Sequence, residues 1–185
     1  MQKILIVLGM VLSQWHSVVV ADTTDHASLF FTQLYTNTCV KNSADMQALK
    51  ENFSAIQTKQ LPAAKAVFFL ENKQGTVWII PNVVGNYLVS IDSAAACAVY
   101  THNVNINAIE RQFITLLEKT PSSFLLEKVQ DETLATPLGP AHFIRYLRTN
   151  KADNSQQEFS LQTSIAQGAD IQAKAMVGPV IFVDE

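Results

Sequence analysis

GTVWIIPNVVGNYLVSIDSAAACAVYT, residues 75–101, decides the fold class. It holds three β-rich runs, Thr76–Ile80, Tyr87–Ile91 and Cys97–Thr101. Pro81-Asn82 and Gly85-Asn86 stop the first run, and Asp92-Ser93 turns the second. β-Branched and aromatic side chains fit a pleated surface, whereas Gly, Pro, Asn and Asp interrupt it. Runs about ten residues apart have the spacing of an antiparallel meander. Upstream, Ala66–Leu70 (AVFFL) reads as a further short strand. Asn72-Lys73-Gln74-Gly75 then reads as a turn in which glycine supplies positive φ.

Helical periods flank this region. Residues 25–38 read as a helix capped by Thr24 or Asp25, with Phe30, Phe31, Leu34 and Tyr35 on one face. A second helix follows a cap at Asn42 or Ser43; Met46, Leu49, Phe53 and Ile56 form its stripe and Pro62 closes it. Asn105 caps a third, whose stripe is Ile106, Ile109, Phe113, Leu116 and Leu117, with Pro121 after its end. Beyond it, 124–129, 142–148, 159–165 and 171–177 read as strands, separated by a turn at 136–140 and a polar loop at 151–156. Phe159, Leu161, Thr163 and Ile165 alternate with Ser160, Gln162 and Ser164, which predicts one buried and one wet face. Helices, strands, a helix and strands again predict an α+β fold: one antiparallel sheet packed by N-terminal helices and one central helix, in a single domain over 22–185.

The N-terminus predicts an address. Lys3 gives a positive start, Ile4–Leu12 is apolar, and Val19 and Ala21 stand at −3 and −1 of a small-residue cleavage site, so 1–21 reads as a signal peptide. The clean apolar run falls well short of the roughly 20 residues that span a bilayer. No cysteine stands near the cleavage site, so no lipid anchor and no stable membrane anchor are expected. A mature chain starting at Asp22 keeps 164 of the 185 residues, with 12 basic against 16 acidic side chains and a net charge of −4. That balance argues against nucleic acid and anionic membranes as partners. Export to a periplasmic or extracellular compartment makes Cys39 and Cys97 a disulfide pair. A reactive thiol or a metal pair lacks a supporting neighbourhood: there is no Cys-x-x-Cys and no histidine within ten residues of Cys39, although His102 lies five from Cys97. The bond would pin the N-terminal helices to the sheet.

Gly75-Thr76-Val77-Trp78, Tyr87–Ile91 and Cys97-Ala98-Val99-Tyr100, followed by a helix from Asn105, give the chain a likeness. Over about residues 25–119 it resembles small secreted proteins and lipoproteins of Gram-negative bacteria. These share a Gly-x-x-Trp strand, a hydrophobic strand, a Cys-x-Val strand and an earlier cysteine in a helical region. The resemblance implies an envelope address and no particular chemistry. This chain departs from it in lacking a lipobox cysteine and in having Ala94-Ala95-Ala96 where a glycine turn is expected.

No reactive constellation stands out. His26, His102 and His142 lack the close spacing of zinc ligands, though His102 and His142 could meet across a sheet with Asp92 or Asp131. There is no Gly-x-Ser-x-Gly elbow and no glycine-rich phosphate loop. Asp131 and Glu132, adjacent in a strand, face opposite sides, as do Arg145 and Arg148. Trp78 reads first as core and second as an aromatic anchor that shares a binding patch with Tyr87 or Tyr100. The leading expectation is therefore an exported, non-catalytic protein, without cofactor or metal, that binds a protein or envelope partner. An inhibitor or immunity-type protein is one form of it. The alternative is a small apolar-ligand carrier with a pocket lined by Phe30, Phe53 and Trp78. A hydrolase using His102 or His142 ranks third.

Overall fold

The computed structural model describes residues 23–166 and 169–180. The signal segment with its cleavage site at Ala21, and the last five residues, lie outside them. Seven strands form one antiparallel sheet: β1 (Gly75–Asn82), β2 (Gly85–Asp92), β3 (Cys97–Thr101), β4 (Phe124–Thr136), β5 (Gly139–Asn150), β6 (Gln156–Ser164) and β7 (Ala173–Pro179). Their order is β1-β2-β3-β7-β6-β5-β4, so two meanders meet where β3 pairs with β7. The fold is α+β, as the patterning predicts.

Three helices cover one face. α1 (Thr23–Leu34) runs on as a π-helical turn, Tyr35–Val40, which extends the predicted helix to bury Tyr35 and Cys39. α2 (Met46–Ala55) is capped by Asp45, whose carboxylate accepts from the Ala48 N–H at 2.9 Å, rather than by Asn42 or Ser43. After α3 (Ala63–Phe69), which packs on the other face, α4 (Ile106–Glu118) has the predicted Asn105 cap, accepting from Ala108 N–H at 3.1 Å. Alternation along each strand sends Trp78, Tyr87, Val89, Ile91, Val99, Phe159, Leu161, Ala175 and Val177 to these helices, where they meet Phe31, Tyr35, Phe53, Ile109 and Phe113. Cys39 and Cys97 are bonded, joining the π-helical turn to the sheet across 58 positions of chain. The Tyr35 hydroxyl donates to the Met176 carbonyl at 2.8 Å nearby, and burial holds its phenol well above the usual tyrosine range.

The other face is covered only at one end, by α3 (Ala63–Phe69). This overturns the strand read into AVFFL. Pro62, with φ −54°, opens a helix whose Ala-rich first turn favours it, and Ala66 and Leu70 pack on Val77. The turn after α3 also differs from expectation. Glu71 and Asn72 take the positive φ, while a Cβ on Gly75 would stand 2.5 Å from the Ile91 carbonyl oxygen, so that glycine serves close strand approach. In the Ala94–Ala96 turn Ala95 itself takes φ 61°, and Asp92 Oδ1 accepts from the Ala94 and Ala96 N–H groups, both at 2.9 Å.

The two sheet edges differ. Residues 59–61 lie along β1, with Leu61 N–H donating to Val77 O and Ile79 N–H to Lys59 O, both at 2.8 Å. Among the described residues β4 has no neighbour on its outer side; its pairing with β5 is broken by a bulge between Lys128 and Gln130. A bulge and charged side chains are how natural edges resist further pairing.

Candidate functional site

The half-covered face holds a groove of about 410 Å³. α3 forms one wall with Phe68 and Phe69, and the tip of the β4–β5 hairpin forms the other with Thr136, Leu138 and Ala141. Tyr100 of β3, Gln162 of β6 and Lys174 of β7 are the outward-facing members of their strands and make the floor, with Ile171 and Asp170 at one end. A shallower extension of about 180 Å³ continues past Phe69 and Tyr100 to Leu88, Asn86 and His102.

The groove has an apolar rim. Phe68 is 53% exposed and Leu138 71%. The floor is fixed by polar contacts. Tyr100 donates to the Phe69 carbonyl at 2.6 Å and meets Ser90 Oγ at 3.2 Å, which ties α3 down onto β3. Burial, against the Ser90 hydrogen bond, pushes the Tyr100 phenol up to about 12, so it remains a donor at neutral pH. Lys174 pairs with Glu71 and lies 5.8 Å from the Tyr100 ring centroid. The charges on the groove floor are thus largely paired, while Asp170 is exposed at its end.

Behind the hairpin wall, on the helix side of the sheet, a polar cluster joins four elements, α4, β4, β5 and β6. His142 Nδ1 lies 2.9 Å from Glu110 Oε1 of α4, and its Nε2 lies 2.9 Å from Asp131 Oδ1 of β4. Thr163 of β6 donates to the same Glu110 oxygen at 2.6 Å, and Lys128 donates to Asp131 Oδ2 at 2.7 Å. Burial alone lowers the His142 value, but the hydrogen bonds and charges of Glu110 and Asp131 outweigh it and raise the ring above its ordinary value. Lys128 and then His142 hold Asp131 below the usual carboxylate range. Both ring nitrogens of His142 are thus aimed at carboxylates, and neither at a serine, threonine or cysteine side chain.

The residues singled out from sequence separate onto the two faces. Trp78 and Tyr87 lie in the helix-side core: Phe53 stacks on Trp78 with centroids 4.8 Å apart, and Tyr87 packs on Phe30 at 4.7 Å and donates to the Ala27 carbonyl. Tyr100 faces the groove, so the three do not share one patch. Phe30, Phe53 and Trp78 fill space against their neighbours rather than lining this groove. His102 and His142 do not meet, since β7 and β6 lie between their strands, and Asp92 is taken up by its own turn and by Lys73 at 3.2 Å. Among the described residues no three His, Cys, Asp or Glu side chains are grouped to hold a metal ion. Arg145 pairs with Glu158 on one face while Arg148 lies between the Phe124 and Phe159 rings on the other, as the strand period requires. Sequence reasoning missed Phe68, Phe69, Leu138 and Ile171. The readable signal was Pro62 followed by Ala-Ala, which marks a helix start and would have placed the two phenylalanines on it.

Comparison with protein-family models, with curated proteins and with solved structures returned no match.

Proposed function

We propose that this is an exported, non-catalytic protein that binds a protein partner of the cell envelope through the groove between α3 and the β4–β5 hairpin. The observation that carries this reading is the exposed apolar rim. A small molecule would cover the floor around Tyr100 but leave Phe68 and Leu138 in water, whereas an apolar segment of a protein would cover floor and rim together. The Cys39–Cys97 bond supports an oxidising compartment, and no described helix is long and apolar enough to cross a membrane. The acidic balance of the chain and the exposed Asp170 suit a partner with cations beside its apolar segment. Inhibition of an envelope enzyme or toxin is one form such binding takes.

The test compares crosslinked partners of the intact chain with those of Phe68→Asp and Leu138→Asp, using Ile56→Asp, exposed beyond α2, as the control. Capture of one partner that falls at least about tenfold in both groove variants, as loss of a hot-spot residue predicts, and persists in the control supports the reading. A partner retained by all three variants sinks it. A small-ligand reading has one observation in its favour: about 410 Å³ lies within the roughly 300–1,000 Å³ range of small-molecule sites. Native mass spectrometry that finds an apolar adduct, lost in Tyr100→Ala, would move the assignment to that alternative.

A further inference from the structure

We propose that His142 is a proton-operated pin: as an imidazolium it ties α4 to the distal half of the β4–β5 hairpin, and as a neutral ring it gives up one of the two ties. The geometry requires a second proton. Both ring nitrogens face carboxylate oxygens at 2.9 Å, and a neutral imidazole carries only one N–H. In the neutral form one nitrogen lone pair would point at a carboxylate lone pair. Neither carboxylate is spare, because Glu110 also accepts from Thr163 and Asp131 also accepts from Lys128. The charged groups that face the ring are Glu110 from α4 and Asp131 from β4, the latter shared with Lys128; β6 adds the Thr163 hydroxyl.

The pin sits where the hairpin needs one. His142 is paired with Thr133, near the turn, and its neighbour Ala141 points to the opposite face, into the groove. At this level β5 is laddered to β6, with His142 opposite Thr163, whereas the described β4 has only β5 beside it, so the chain Asp131–His142–Glu110 adds a side-chain link from the edge strand to α4. Thr136, Leu138 and Ala141 of this hairpin form one groove wall, so the charge on His142 sets how firmly that wall is held. This consequence rests on the binding reading of the groove, whereas ring titration and amide exchange test the pin without it.

The sign follows from the two carboxylates. A histidine raised in the folded state contributes its full stabilisation below the unfolded value of about 6.5 and loses it as pH rises through the folded value. Asp131, lowered by its partners, acts oppositely and is lost only as pH falls below the ordinary carboxylate range. The pin is therefore closed in mildly acidic solution and opens as pH rises through the raised value of the folded ring. The experiment is ¹⁵N NMR of the histidine rings together with hydrogen exchange, corrected for intrinsic rate, from about pH 5 to about pH 8, the range in which an imidazole changes charge. Expected are two protonated ring nitrogens on His142 at the acid end, a midpoint above that of His142 in Asp131→Asn, and protection of the Asp131–Thr133 and Ala141–Phe143 amides that falls several-fold as the ring titrates. His142→Gln, with circular dichroism checking that its helix and strand content is unchanged, is expected to lose the pH dependence of that protection. A neutral His142 ring throughout, or protection that falls equally in His142→Gln, overturns the proposal.

Discussion

The two faces of this sheet are built from the same strands yet end in opposite conditions. On the helix side, Trp78, Tyr87, Val99, Phe159 and Val177 meet α1, α2 and α4 and are closed to water. On the other, Leu88 and Tyr100 meet α3, and past it Gln162 and Lys174 floor an open groove. The difference lies in cover rather than in strand pattern. A seven-residue helix spans about 10 Å at 1.5 Å per residue, which is little more than two strand spacings. Apolar side chains on the covered face stabilise the fold; those at the rim of the open face add little to it and remain free to contact something else.

That contrast can be broken by substitution. The largest expected effect is on the covered face: Trp78→Ala removes a fully buried ring stacked on Phe53 and should cost about 4–5 kcal/mol, read as a lower midpoint in urea with unchanged slope. Because the indole N–H has no hydrogen-bond partner among the described residues, Trp78→Phe should recover most of that loss. Replacing both cysteines by serine should cost about 4 kcal/mol for the 58-residue separation, or less where the helices still dock without the bond. Tyr100→Phe, at the boundary between the faces, removes the hydroxyl that holds the Phe69 carbonyl and should cost about 1 kcal/mol, with faster amide exchange in α3. The smallest effect belongs to the open rim: Phe68→Asp should change stability by less than about 0.5 kcal/mol. A loss of several kcal/mol there would mean that Phe68 is a core residue and that the two faces do not differ as described.

The elements that sequence reasoning located best are those whose side chains answer one local question. Thr76–Ile80 and Tyr87–Ile91 alternate between faces, Asn105 caps a helix, and Cys39 and Cys97 form the one available pair. AVFFL was misread because three β-favouring residues outweighed the proline and alanines before them, and burial of Ala66 and Leu70 on Val77 decides the segment in favour of helix. The groove was less legible still. Tyr100 was named, but for sharing a face with Trp78 and Tyr87, which odd and even places in paired strands forbid. Leu138 and Phe68 are 70 residues apart and meet only because β3 pairs with β7 between them. The His142 cluster has the same origin, since Glu110, Asp131 and Thr163 come from separate elements. Pairing order across a sheet is a long-range property that no local window contains.

The junction between β3 and β7 also orders events in time. The middle of the sheet is made by β7, the last of the described strands, so the two meanders cannot join until residues 173–179 are at hand. Contacts this distant in sequence make folding slow. The covalent link, by contrast, connects residues 39 and 97, both of which are present before the second meander exists. Oxidation can therefore precede closure, fastening an N-terminal half that waits, with one edge of β3 unpaired, for its partner to arrive.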